Sequence, residues 1–324
     1  MAKHYSRVIV TGGAGFIGGH IVDRLLKEGF DVTVIDNLSM GRLENIAQNE
    51  DKREFHFVKG DIRDFDLVKN TMKDIDAVFH EAASASVTLS LKNPMLVNDI
   101  NVLGTLNLLK AAVELDVKRF IFASSAAVYG ETALPRKGEE IPPDPTQPYG
   151  VSKLAAESYT RSFCKSYGLE TVSLRYFNVY GPRQSFDINC AYGGAITIFL
   201  NRLMRSMPPI IYGDGEQTRD FVYVQDIVEA NMLALNTKNA VGEFFNIGSG
   251  TAISVNQVAQ VLKERLNKKD IKNVYAAERP AEVKHGYADI SKAKRILNYT
   301  PRFLFEEGIT NLVDWYSKDE DLSI

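Results

Sequence analysis

Only two cysteines, Cys164 and Cys190, occur in the 324 residues. Two thiols cannot build a disulfide framework, and neither sits at a metal-ligand spacing, so both read as buried, reduced side chains. The five histidines, His4, His20, His56, His80 and His285, do not cluster, and no metal is expected. Long apolar runs are missing as well. Nothing approaches the length of a membrane span, and the few residues before the first strand leave no room for a signal peptide's apolar segment. A cytoplasmic location without membrane association is the expectation. Basic residues are not in excess either. A formal charge of −3 supplies no field for a nucleic acid, although a local pocket can still take a diphosphate. No repeat, low-complexity tract or clean linker interrupts the chain.

What the chain does have is ample apolar content, 45%, and one organising stretch, Val8-Ile-Val-Thr-Gly12-Gly-Ala-Gly15-Phe-Ile-Gly18. An apolar run enters it, and Ile21, Val22, Leu25 and Leu26 leave it at helical spacing. Read as strand, turn and helix, it is a dinucleotide-binding fingerprint. Gly12 allows the tight turn, Gly15 lets the backbone approach a pyrophosphate, and Gly18 permits close helix packing. The pyrophosphate then rests on unpaired amides at the helix N-terminus. The next strand, Val32 to Ile35, ends at Asp36, placed to accept from the adenine ribose hydroxyls and to repel the extra phosphate of NADP. NAD is the expected cofactor.

Further strands follow at Phe55–Val58, Ala77–His80, Phe120–Ser124 and Val172–Tyr176, with helical patterns between them. Alternation of this kind predicts a doubly wound parallel sheet, an α/β Rossmann domain, with ligands beyond the carboxyl ends of its strands. Asp61, after the third strand, reads either as an acceptor for the adenine amino group or as a solvated loop acid. Asn101, near the start of a helix from Asn98 to Leu115, either braces the strand ends or touches the cofactor. Ser124-Ser125-Ala126 follows the fifth strand, and Tyr149 and Lys153 stand one turn apart at the start of a helix reaching Tyr167. An ammonium one turn from a phenol favours phenolate, and the positive nicotinamide ring of an oxidised cofactor favours it further. Alone, such a pair reads as an ordinary helix pair. Behind a dinucleotide fingerprint and a Ser-Ser strand end, it reads as a general base with its partner.

Together these motifs, with Arg175-Tyr-Phe-Asn-Val-Tyr-Gly-Pro-Arg183 and Gly213-Asp-Gly-Glu-Gln-Thr-Arg-Asp220, resemble the extended short-chain dehydrogenase/reductases. The likeness is to their NAD-dependent sugar-nucleotide epimerase/dehydratase family and runs from Arg7 to about Trp315. Within that family the chain is most similar to the 4-epimerases of UDP-hexoses. The resemblance implies Tyr149 as base, Lys153 as its electrostatic partner and a ribose ligand, and Ser125 as a hydrogen-bond partner of the sugar O4. It implies cofactor contacts from Phe16, Ile17, Asn37, Ser39, Gly41 and Ile62, and from Ala82, Ala83, Ser84 and Tyr176. For a UDP-sugar it implies Ser86, Asn178, Gly194, Ala195, Tyr212 and Gln217, with Arg219 and Arg279 on phosphate and Glu282 on the uridine ribose.

The same resemblance narrows the reaction. Dehydratases and decarboxylases of the family carry an acid just after the catalytic Ser or Thr, where this chain has Ala126 and Ala127. Gly286 falls where strict UDP-glucose epimerases close the sugar pocket with a large residue, which implies room for a 2-N-acetyl group. A uronate epimerase or a keto-sugar reductase remains an alternative within the family. A non-catalytic NAD-binding scaffold is the alternative of another class, opposed by intact Ser125, Tyr149 and Lys153. The expected organisation is a NAD-binding domain over 1–177, rejoined by 220–248, and a smaller UDP-sugar domain over 178–219 and 249–324. Ser254 and Ser291 read as helix N-caps. The resemblance also implies a homodimer packed through the helices that begin near Asn98 and Tyr149.

Overall fold

The computed structural model describes residues 5–132, 134–185, 194–278 and 284–318. Six strands alternate with helices as the apolar pattern requires: β1 (Arg7–Thr11), β2 (Asp31–Asp36), β3 (Phe55–Lys59), β4 (Ala77–His80), β5 (Arg119–Ser125) and β6 (Glu170–Tyr176). A seventh, β7 (Phe244–Ile247), returns from far along the chain and pairs with β6. All neighbours are parallel, in the order 7-6-5-4-1-2-3. Order reverses between β4 and β1, and that switch point is where an open α/β sheet binds its ligand.

Both faces of the sheet are covered. One carries Val8, Val10, Ile21, Leu25, Val172 and Ile227 in its core, the other Ile9, Ile35, Val78, Leu108 and Phe120. A separate core over Tyr180, Phe199, Leu200, Val258, Ile309 and Leu312 belongs to the smaller lobe. It is built from the helices Ala195–Met204, Val255–Arg265 and Phe305–Lys318. Asp220 ties the lobe to the sheet. Fully buried, it accepts from the amides of Ser249, Gly250 and Ala288 and from the Ser249 hydroxyl.

Three local expectations are corrected. The helix expected from Asn98 begins at Pro94 and runs as Pro94–Asn98, a π-helical turn Asp99–Leu103, and Gly104–Glu114. At the wide turn the Thr105 hydroxyl donates to the Asn101 carbonyl at 2.6 Å, a back-bond that competes with the helical ladder. Of the segment 220–248, expected to rejoin the NAD-binding domain, Phe244–Ile247 enters the main sheet whereas Phe221–Tyr223 pairs with Asn178–Tyr180. Ser254 does cap its helix, reciprocally with Gln257. Ser291 is instead the first residue of Ser291–Leu297, and its amide donates to Asp289.

The first helix after the fingerprint, α1 (Phe16–Lys27), also holds the chain that leaves β6. His20 Nε2 donates to the Pro182 carbonyl at 3.0 Å and its Nδ1 accepts from Gln225. Burial depresses His20 to about 4, the neighbouring Arg183 lowers it further, and the Pro182 bond and Asp23 act the other way. Its folded value lies below the unfolded 6.5, so its contribution is complete above pH 6.5 and is lost as pH falls toward 4. His20→Gln keeps the donor but does not titrate. The variant is therefore expected to gain about 2 kcal/mol relative to wild type between pH 7 and pH 5, as measured by urea unfolding at the two pH values.

Candidate functional site

The carboxyl ends of β1, β2 and β4 open into a cleft of about 490 Å3. Gly12, at φ 70°, turns the chain out of β1, and a Cβ there would lie 2.7 Å from the Ala82 amide nitrogen. The turn and the β4 end are thus in backbone contact. Gly15 opens α1 with extended backbone and no side-chain cap, so the first-turn amides of Phe16, Ile17 and Gly18 remain for an anion. All of these residues line the cleft.

At the far end Asp36 accepts from the Ala14 and Leu38 amides, at 3.1 and 2.8 Å. Burial raises its pKa while those two bonds hold it down. A Cβ at Gly41 would lie 2.8 Å from both carboxylate oxygens, so the missing side chain leaves Asp36 open to the cleft. Asn37, Ser39, Gly41, Asp61 and Ile62 complete this wall. Asp61 is more committed than expected. Its carboxylate takes three bonds from Arg63 and one from Asn37, and the Arg63 side chain drives its pKa well below the carboxylate range.

Ala82, Ala83 and Ser84 line the other end, where the Ser84 hydroxyl is buried without a partner. Asn101 braces this wall from behind. It accepts from the Ser84 amide and donates to the Ser84 carbonyl and the Ser152 hydroxyl. Its side chain is consumed by the protein, which makes it a support of the wall and not one of its lining residues. The buried Ser86 hydroxyl caps the helix Val87–Lys92 by accepting from the Leu89 amide. An acid at Asp36, free amides at α1 and an orphaned hydroxyl at Ser84 match the ribose, diphosphate and nicotinamide ends of a dinucleotide.

The reactive groups stand beside this end on α2 (Pro148–Tyr167). Pro148 starts the helix, so Tyr149 and Lys153 share one face. Tyr149 lies beside Ser125, whose Oγ accepts from the Ala127 amide at 3.1 Å. Burial raises the Tyr149 pKa, and Ser125 is the group that pulls it down. Lys153 is anchored from below: its Nζ donates to the Ala123 carbonyl at 2.8 Å and sits 5.1 Å over the Phe122 ring. The first serine of the pair has a structural role. Ser124 donates to Glu157, which is locked bidentate to Arg175 beneath the sheet end.

Sequence reasoning missed Glu81. Its carboxylate lines the cleft and accepts from the Tyr176 hydroxyl at 2.8 Å, which in turn accepts from Asn231 at 2.7 Å. Tyr176, expected to touch the cofactor, thus commits its hydroxyl to Glu81 and Asn231. Burial lifts Glu81 to about 7, opposed by the Tyr176 bond and by Lys153. Burial also lowers Lys153 to about 8, and there Glu81 is the opposing cause. The only sign in the sequence was an acid inside a run of small residues at a strand end.

The substrate positions are gathered less completely. Tyr212, Gln217 and His285 line a second cavity of about 270 Å3 with Asp214, Glu216 and Lys284. Arg219 donates to the Thr218 and Lys284 carbonyls. Gly194 and Ala195 start the helix Ala195–Met204, and Asn178 is exposed at the start of its strand. Gly286 does not line the second cavity. A Cβ there would meet only Lys137 Cε, at 3.7 Å. Arg279 and Glu282 lie outside the described residues. Among the described residues no cluster of His, Cys, Asp or Glu suits a metal ion, and no helix is long and apolar enough to cross a membrane.

Residues 9–312 match the family described as GDP-mannose 4,6 dehydratase. The chain belongs to this epimerase/dehydratase family. It is 43% identical to a putative UDP-glucose 4-epimerase of Methanocaldococcus jannaschii, over 95% of this chain and 97% of that one. Among solved structures it superposes with TM-score 0.92 and 39% identity on a UDP-N-acetylglucosamine 4-epimerase from Methanobrevibacter ruminantium M1, covering 98% of this chain and 99% of that chain. A UDP-glucose 4-epimerase of Thermus thermophilus, complexed with NAD, gives 0.86 and 36%, with 97% and 99% covered. NAD is the cofactor of this epimerase/dehydratase family member.

Within the site, the Glu81 carboxylate sustains the charge on Lys153 against burial. Glu81→Gln removes the opposing charge, so Lys153 is expected to lose its proton at lower pH. The alkaline limb of the pH–turnover profile should move to lower pH in the variant, and an unmoved limb would show that the two groups are not coupled.

Proposed function

We propose that the protein is a UDP-hexose 4-epimerase that interconverts UDP-glucose with UDP-galactose and UDP-N-acetylglucosamine with UDP-N-acetylgalactosamine. The observation that carries this reading is the pairing of Tyr149 with Ser125, which lowers its pKa at the end of β5, directly followed by Ala126 and Ala127. A phenol and a hydroxyl suit removal of one proton from O4. The absence of an acid at 126 or 127 leaves elimination and decarboxylation without a proton donor there.

Bound NAD supplies a reversible hydride acceptor for C4 of the sugar. Tyr149, directly or through Ser125, takes the O4 proton as C4 is oxidised and returns it when C4 is reduced from the opposite face. Lys153, fixed by the Ala123 carbonyl, holds positive charge below Tyr149 and reaches toward the nicotinamide ribose. The ketone turns about its phosphate link between the two half-reactions. Contacts to the nucleotide from Arg219, Gln217 and Tyr212, with Arg279 and Glu282, keep it from leaving. Asn178, Gly194 and Ala195 border the sugar in this reading.

Gly286 supports acceptance of the N-acetylated pair, because it presents no side chain and a Cβ there would meet only Lys137 Cε, at an ordinary contact distance of 3.7 Å. A uronate would need a cation at C6. The segment's candidate, Arg183, is ion-paired to Asp23 and lies against Gly19 of α1, which favours uncharged hexoses. A homodimer is part of the proposal. Met95 and Leu103 on the helix after β4, and Val151 and Tyr159 on α2, are exposed apolar side chains on the two expected helices, whereas Leu109 is buried in the core.

Tyr149→Phe should lower turnover by about 10²–10⁴-fold with NAD content unchanged. Near-normal turnover would remove Tyr149 as the base. Incubation with each UDP-sugar without added reductant, followed by separation of the products, tests the substrate range. Wild type should epimerise both pairs, and Gly286→Tyr should keep the plain pair while losing the N-acetylated one. Retention of both by the variant would overturn the role given to Gly286, and a requirement for stoichiometric NADH would favour a reductase.

A further inference from the structure

Arg183, Gln184 and Ser185 line the NAD cleft although they follow the strand Asn178–Tyr180, outside the main sheet. Two bonds fasten this segment to α1. One is His20 to the Pro182 carbonyl, and the other is Arg183 Nη2 to Asp23 at 2.7 Å. Arg183 itself sits at φ 68°, a left-handed conformation that a non-glycine residue seldom adopts, so the backbone is strained to aim this side chain. Its guanidinium lies over α1, where a Cβ at Gly19 would come within 3.3 Å of Nη1. Asp23 satisfies Nη2. Nη1 is buried and has no hydrogen-bond partner among the described residues.

A buried guanidinium N–H without an acceptor is costly, and the group beside it is the uncapped first turn of α1, where amides and dipole both favour negative charge. An anion placed there would satisfy the α1 amides and the orphaned Nη1 together. We propose that Arg183 Nη1 donates to a diphosphate oxygen of bound NAD, so that the segment 181–185 clamps the cofactor against α1. The clamp belongs to a part of the chain that the dinucleotide fingerprint does not include. Its consequence is retention: NAD leaves only when Arg183 is withdrawn, and Asp23 and His20 hold it in place. Gln184 Oε1, also buried without a partner, is the rival acceptor for Nη1.

The test is NAD affinity, measured by calorimetric titration of NAD-stripped protein at ~50 and ~200 mM salt, a range over which phosphate contacts show their salt dependence, with UDP titrated in parallel. Arg183→Gln should raise the NAD Kd at least tenfold and flatten its salt dependence, with the UDP Kd within twofold of wild type. Arg183→Lys keeps the cation without the fork and should fall between the two; it carries the test alone if the glutamine variant does not fold. An NAD Kd within twofold of wild type in both variants overturns the clamp in favour of pairing with Gln184. Equal losses of NAD and UDP affinity overturn it in favour of a structural role. Weakened binding of UDP-glucuronate with NAD unchanged would assign Arg183 to a substrate carboxylate instead.

Discussion

Gly12 and Ala82 meet backbone to backbone, and no side chain fits between them. A Cβ at residue 12 would lie 2.7 Å from the Ala82 nitrogen. That contact sets the distance between the end of β1 and the end of β4, on either side of the sheet's switch point. From it follow the direction of α1, the exposure of its first amides and the flatness of the wall formed by Ala82, Ala83 and Ser84. The bracing behind it is equally specific. His80, buried and neutral at a pKa lowered to about 3 by desolvation, joins Thr11 of β1 to Thr105 of the neighbouring helix through its two ring nitrogens. Asn101, in the π-helical turn, fixes Ser84 from the same helix.

Charge is distributed against this frame in a way that separates support from reactivity. The Glu157–Arg175 pair is fully buried, bidentate and capped by Ser124, so it holds the end of β5 and β6 without facing the cleft. Breaking such a pair leaves an uncompensated charge and is costly, whereas its net contribution when intact is small. Glu81 and Lys153 are different. Each is displaced toward neutrality by burial, to about 7 and about 8, and each is the charge that opposes the other's shift. Groups poised near the working pH beside a phenol are the mark of a site that moves protons.

The two lobes share the work unequally. The sheet supplies the dinucleotide cradle and the Tyr149–Ser125 pair, while the smaller lobe supplies the second cavity and one wall of the first. Asp220 is the joint. With four hydrogen bonds it fastens the strand region after Arg219 to the loop after β7 and to Ala288, which keeps the lobe from drifting relative to the sheet. The chain leaving β6 then lies across α1 through Pro182 and Arg183.

Local chemistry determined much of this. The spacing of Gly12, Gly15 and Gly18, the acid at Asp36 and the turn between Tyr149 and Lys153 are short-range patterns, and each lies where its pattern put it. So do the six alternating strands, because burial on both faces of a parallel sheet demands continuous apolar runs. Tertiary structure decided what short range cannot specify. Asn101 and Ser86 have the composition of ligand-binding residues, yet packing hands their polar atoms to Ser84, Ser152 and Leu89. The ammonium of Lys153 is anchored by the Ala123 carbonyl, a partner that helical spacing from Tyr149 does not reveal. Glu81, and the seating of Arg183 against α1, became visible only when β4 met Tyr176 and α1 met the segment after Tyr180. Electrostatic environment depends on neighbours brought from other elements, and those neighbours exist only once the chain is folded.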